Sequence, residues 1–353
     1  MSDTIPPPID DHSSVVGEIL GDVTTRKRRP EPTAIVIFGA TGDLTGRKLA
    51  PALFNVMLDK ALTDPTVIIG VSRGQLTIPA FADKLKDPVS SHSRQKVEPA
   101  QWDKFAAMLD YVGGEFADDA TYIALKARLE AAKTKGTKGN RVFYLSTPPA
   151  AFPLILQKLQ QHGLIERRQQ RGDGASCRVI VEKPFGRDLA SARSLNEMIG
   201  TYLHESQIYR IDHYLGKETV QNILVLRFGN SIFEPLWNRN HIDYVEITAA
   251  ESIGIEGRGA FYEETGVVRD VIQNHLLQVM SLVTMEVPAS FSPDDIRDEK
   301  SQVLRSVRAL TLIEVANDCV RGQYRGYREE PNVKPNSQTA TYAAMRFIID
   351  SWR

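Results

Sequence analysis

The chain has 353 residues, 42% of them hydrophobic and 25% charged, with a formal net charge of −1. That length accommodates two domains, and the balanced charge excludes a broad basic face for nucleic acid or an anionic membrane, so any anion must be gripped locally. Only Cys177 and Cys319 are present, far apart in sequence, which argues against a disulfide framework and a Cys-based zinc site. No metal is expected. No apolar run is long enough to span a bilayer, and the start Met1-Ser-Asp-Thr-Ile-Pro-Pro-Pro lacks the basic and apolar regions of a secretory signal. A soluble, cytoplasmic protein is expected.

Residues 1–32, rich in Pro, Asp and Ser and ending in a basic cluster, read as a disordered or loosely attached arm. Thr33–Phe38 is a β-branched apolar run of buried-strand type. It opens into Gly39-Ala40-Thr41-Gly42-Asp43-Leu44-Thr45-Gly46, and a helical pattern with Leu49, Leu53, Val56 and Met57 on one face follows. Strand, glycine turn and helix form the first unit of a dinucleotide-binding domain. There the helix N-terminus offers N–H groups and a favourable dipole to a pyrophosphate. The spacing is not G-x-G-x-x-G, so a ligand-free tight turn is the competing reading. The next strand, Thr66–Val71, ends in Ser72-Arg73. An Arg where NAD enzymes place an acid favours NADP, with Lys48 as a second cation.

Residues 77–135 read as surface helices at 77–86, 101–109 and 119–133. Tyr122 and Lys126 match Y-x-x-x-K, a coincidence in a polar helix. A strand over 141–146, a helix at 150–162, a Gly/Arg/Gln-rich loop at 163–176 and a strand over 178–182 come next. The last strand runs into Lys183-Pro184, which places a lysine at the carboxyl edge where ligands bind. A helix at 188–203 precedes a domain boundary near 205. Beyond it the expected elements are a strand at 241–250, a long helix at 263–285, a helix at 293–309 and a strand at 340–350. This is an α+β domain on a mostly antiparallel sheet.

The densest chemistry lies in Arg210-Ile211-Asp212-His213-Tyr214-Leu215-Gly216-Lys217-Glu218, just before the apolar run 220–228. Lys217 offers donors to an anion, His213 and Tyr214 add directional ones, and Asp212 suits the orienting of an imidazole. Helix capping by the same polar groups is the plainer alternative.

Four blocks in this order, Gly39-Ala-Thr-Gly-Asp-Leu44, Glu182-Lys-Pro-Phe-Gly186, Arg210-Ile-Asp-His-Tyr-Leu-Gly-Lys217 and Arg269-Asp-Val-Ile-Gln-Asn-His275, resemble the glucose-6-phosphate dehydrogenases. The resemblance runs from about Thr33 to the last residue. It implies an α/β Rossmann-like NADP-binding domain over 33–204 and a substrate-binding and dimerisation α+β domain over 205–353. It implies oxidation of D-glucose 6-phosphate at C1 to 6-phosphogluconolactone, the first step of the oxidative pentose phosphate pathway, with His275 as base and Asp212 as its carboxylate partner. Lys183, His213, Tyr214, Lys217, Glu251 and Asp270 are then the substrate residues. Gly39, Ala40, Thr41, Gly42, Asp43, Leu44, Lys48, Arg73, Tyr144 and Lys183 are the cofactor residues, and the assembly is a homo-oligomer. Family members continue past Ser351-Trp352-Arg353 with further strands and another sugar-phosphate lysine, so an incomplete second sheet is expected. The alternatives are a truncated, catalytically idle homologue that binds NADP or a partner subunit, and an NADP reductase for another sugar or aldehyde.

Overall fold

The computed structural model describes residues 30–168, 175–186 and 188–353. Most of the basic N-terminal arm and the centre of the 163–176 loop therefore lie outside the described residues. The chain forms two compact units that divide between Ile211 and Asp212. No helix among the described residues is long and apolar enough to cross a membrane.

The first unit is a six-stranded parallel sheet. Its strands are β1 (Thr33–Phe38), β2 (Thr66–Ser72), β3 (Leu109–Gly113), β4 (Arg141–Leu145), β5 (Cys177–Val181) and β6 (Ile208–Arg210), in the spatial order β3-β2-β1-β4-β5-β6. Every residue of β2 is buried, as a central strand covered on both faces must be. One face packs through Val36, Phe38, Phe143, Leu156 and Val179, the other through Ile37, Phe54, Ile68, Phe81 and Phe105. The covering helices are α1 (Ala50–Leu58), α2 (Ile78–His92), α3 (Pro99–Ala106), α4 (Asp119–Ala132), α5 (Phe152–Gln161) and α6 (Leu189–Tyr202). Tyr122 is a core residue whose hydroxyl donates to the Phe116 carbonyl, so the Y-x-x-x-K match has no catalytic geometry.

Two expectations need correction here. Helix α2 runs through Pro88 to His92 rather than ending at 86. Fully buried Val89 lies just beyond the proline, and its packing outweighs the missing hydrogen bond. Residues 109–113, expected to lie at the end of a helix or in a loop, form β3 instead, with the Tyr111 ring against Phe81.

Strand order reverses between β1 and β4, so the crevice beyond their carboxyl ends is where such sheets take ligands. Gly39 follows β1 there with φ +80°, and a Cβ on it would come within 2.2 Å of the Ser146 carbonyl oxygen.

The second unit is built mainly of helices. It contains α7 (Glu218–Phe228), α8 (Gly259–Val267), a wider π-wound segment (Val268–Leu276), α9 (Leu277–Thr284), α10 (Pro293–Ser306) and α11 (Leu312–Asp318). The single long helix expected over 263–285 is broken at Gly266, whose φ of +65° no α-helix accepts. Strand β7 (Cys319–Gly322) pairs antiparallel with β8 (Tyr342–Met345), a shorter strand than expected. Residues 241–250 form no strand. The alternation is present, but a strand exists only by pairing, and among the described residues none pairs with it.

Gly39→Ala combines left-handed strain with a backbone clash and should cost about 2 kcal/mol or more, lowering Tm by roughly 4–8 °C in a thermal scan.

Candidate active site

In the second unit, Asp212 begins the turn that leads into α7. Its Oδ1 accepts the Tyr214 backbone N–H at 2.9 Å and meets His275 Nδ1 at 2.6 Å. The first contact fixes the carboxylate against its own turn, and the second aims it at the imidazole. His275 comes from the π-wound segment and is 3% exposed, so its ring has little freedom of its own.

The wide winding matters for the neighbours. In an α-helix Asp270 and His275, five residues apart, fall on diverging directions. Where hydrogen bonds run from i to i+5, residues five apart are about one turn apart and share a side.

Aromatic contacts complete the arrangement. Tyr214 stacks on His275 with centroids 4.3 Å apart and planes 11° from parallel, and His213 meets His275 edge-on at 4.5 Å. The Lys217 ammonium lies over the Tyr214 ring, 3.7 Å from its centre. The donor atoms of Asp212, His213 and His275 lie within 4.8 Å of one another. Burial raises the Tyr214 hydroxyl above its ordinary value, and the negative charges of Glu251, Asp212 and Asp270 raise it further. Direct contacts therefore gather Asp212, His213, Tyr214, Lys217 and His275, while Glu251 and Asp270 act on the Tyr214 hydroxyl through their charge. It presents a held imidazole backed by a carboxylate, with an exposed histidine and an exposed lysine beside it. Such a group can take a proton from a hydroxyl while cations hold an anion.

In the first unit, Gly39 to Leu44 form the turn beyond β1. Gly42 N–H donates to the Gly39 carbonyl at 2.9 Å, and the Thr41 and Ser72 hydroxyls share a hydrogen bond of 2.6 Å. Lys48 and Arg73 are exposed. A cavity of about 360 Å³ opens on the turn, lined by Ala40, Thr41, Gly42 and Asp43 together with Arg47 and Lys84. Bare backbone at Gly39 and Gly42, cations at the rim and no acid at the end of β2 fit a phosphorylated dinucleotide. The Tyr144 hydroxyl donates to Glu182, next to Lys183, and the Lys183–Pro184 peptide is cis.

Sequence reading missed Arg227. Its side chain is fully buried under the end of α9, where it donates to the Leu282 and Met285 carbonyls at 2.8 Å each. Burial draws its guanidinium down to about 10, and Glu234 opposes the fall, so it stays charged at neutral pH. An arginine inside the apolar run 220–228 was the available signal.

The family models for the glucose-6-phosphate dehydrogenase NAD binding domain and C-terminal domain match residues 36–222 and 224–353. A glucose-6-phosphate 1-dehydrogenase of Chlamydia pneumoniae is 44% identical over 97% of this chain and 68% of its own length. One from Aggregatibacter actinomycetemcomitans is 46% identical over 92% of this chain and 67% of its own. The crystal structure of the Mycobacterium avium enzyme superposes with a TM-score of 0.80 at 39% identity, over 91% of this chain and 67% of that one. A glucose-6-phosphate dehydrogenase in complex with its substrate glucose-6-phosphate gives 0.81 at 37% identity, over 92% and 66%. The chain thus spans about two thirds of the relatives' length, and it belongs to the glucose-6-phosphate dehydrogenase family.

Proposed function

We propose that the chain oxidises D-glucose 6-phosphate at C1 to 6-phosphogluconolactone, with NADP as cofactor. The observation that carries this reading is the 2.6 Å contact between Asp212 and buried His275, in a chain of this family. Removing hydride from a hemiacetal carbon requires the C1 hydroxyl proton to leave as well, and a held imidazole suits that task. Asp212 engages Nδ1, which directs Nε2 to the hydroxyl and stabilises the imidazolium as it forms. Lys217, His213 and Tyr214 hold the phosphate, while Glu251 and Asp270 accept hydrogen bonds from sugar hydroxyls. NADP, when bound, supplies the hydride acceptor. Residues 39–44 would hold its pyrophosphate, and Arg73 with Lys48 its 2′-phosphate, with Tyr144 and Lys183 near the reacting end. The division of labour follows the two units, the first for NADP and the second for substrate and dimerisation, with β6 on the cofactor side of the boundary expected near 205. A homo-oligomeric, cytoplasmic enzyme completes the proposal.

NADPH formation by the purified chain tests the reading directly. His275→Asn should lower kcat about a thousandfold while NADP affinity, measured by fluorescence, stays within about threefold. Normal turnover in that variant would sink the assignment. Lys217→Ala should raise KM for glucose 6-phosphate about tenfold or more, as loss of a charged hydrogen bond does, and leave any activity on unphosphorylated glucose unchanged. Arg73→Ala should lower the NADP-over-NAD preference in kcat/KM about tenfold, and an unchanged ratio would remove Arg73 from the 2′-phosphate.

A further inference from the structure

Helix α8 leads into the π-wound segment, yet it has no buried apolar face to hold it. Its buried residues are Gly259 and Gly266, one at the start and one near the end. Hydrophobic packing, which anchors most short helices, contributes little beyond the Tyr262 ring set edge-on against Tyr327.

Polar contacts with the segment 323–341 take its place. Glu263 Oε1 accepts the Tyr327 hydroxyl at 2.7 Å and the Ser337 hydroxyl at 2.5 Å, and both donor residues are buried. The segment that supplies them is braced within itself. Gln323 Nε2 donates to the Ser337 and Thr339 carbonyls at 3.0 and 2.9 Å, and the Thr339 N–H donates to the Ser337 hydroxyl at 3.1 Å. The ends of α8 meet the same segment. A Cβ on Gly259 would collide with the Pro331 carbonyl, and the Val267 N–H donates to the Ala340 carbonyl at 3.0 Å. Burial pushes the Glu263 carboxyl up, but the hydrogen bonds from Ser337 and Tyr327 outweigh it and hold the group below its ordinary value. Val268, the next residue after these contacts, opens the π-wound segment that carries Asp270 and His275.

We propose that Glu263 is a positioning residue for His275. By gathering Tyr327 and Ser337 onto one carboxylate oxygen, it holds α8 against the segment 323–341 and fixes the point from which the π-wound segment starts. The winding of that segment then carries the imidazole onto Asp212. The inference rests on the proton-transfer role given to His275 above.

The test compares Glu263→Met, Glu263→Gln and Ser337→Ala with the unaltered full chain. Methionine keeps the length of the side chain and offers no oxygen, whereas glutamine keeps an oxygen for the two hydroxyls. The readouts are kcat, NADP affinity by fluorescence, and the NMR resonance of a His275 ring proton, assigned with His275→Asn. That resonance reports ring position because the stacked Tyr214 ring shifts it. Glu263→Met should move the resonance and lower kcat about ten- to a hundredfold, the loss expected of a displacement of ~1 Å, with NADP affinity held within about twofold. Glu263→Gln should leave the resonance in place and keep kcat within about threefold. An unmoved resonance or a parental kcat in Glu263→Met overturns the inference, even where Tm falls, since a merely stabilising contact costs stability without displacing the ring. A glutamine variant as displaced as the methionine one overturns it too. If the unaltered chain shows no turnover, the functional reading fails, and the His275 resonance still decides the role of Glu263. If Glu263→Met does not fold, Ser337→Ala decides, because it removes one donor and leaves the carboxylate: a moved resonance supports the role and an unmoved one removes it.

Discussion

The hydrogen bond between Asp212 and His275 joins two stretches 63 residues apart, and the arrangement of the second unit depends on it. One end is fixed by a turn whose own N–H, from Tyr214, binds the same carboxylate oxygen. The other end is fixed by burial of the imidazole under the Tyr214 ring. A charge-assisted contact in a half-dry environment is strong only if neither partner has to be ordered at the moment of reaction. Here the chain has ordered both beforehand.

Each supporting feature preserves that contact. Arg227 ties off the carbonyls at the end of α9, the helix that continues from His275, and so holds the far end of the segment. Gly266 releases the near end from α-helical geometry. Tyr214 serves both partners, with its N–H on Asp212 and its ring against His275.

Much of this was legible in the sequence where local pattern decides the outcome. Thr33–Phe38 and Thr66–Val71 declared a buried parallel sheet because continuous β-branched runs have few other uses, and the Asp-His-Tyr-Leu-Gly-Lys block marked the turn where Asp212, His213, Tyr214 and Lys217 meet. What escaped was decided by distant partners. Leu109–Gly113 is short and carries Asp110, so only its pairing with β2 makes it a strand. Residues 241–250 have a strand's alternation and no neighbour to pair with among the described residues. Arg227 sits in an apolar run, but the carbonyls it serves, those of Leu282 and Met285, lie more than fifty residues away in sequence. Gly266 was a local signal not given its weight, since a glycine in the middle of a helical pattern marks a break.

The π-wound segment also makes the geometry around His275 sensitive to residue count in a way that composition does not reveal. Each residue turns the chain by about 100° in an α-helix and by somewhat less in the wider π form, so removing one residue between Gly266 and His275 would keep both partners while swinging the imidazole away from Asp212. Substitutions on the outer side of this segment can be absorbed by water, whereas insertions and deletions cannot. In this stretch the placement of His275 against Asp212 is stored as phase along the helix axis, and the wider turn is what keeps Asp270 and His275 in step.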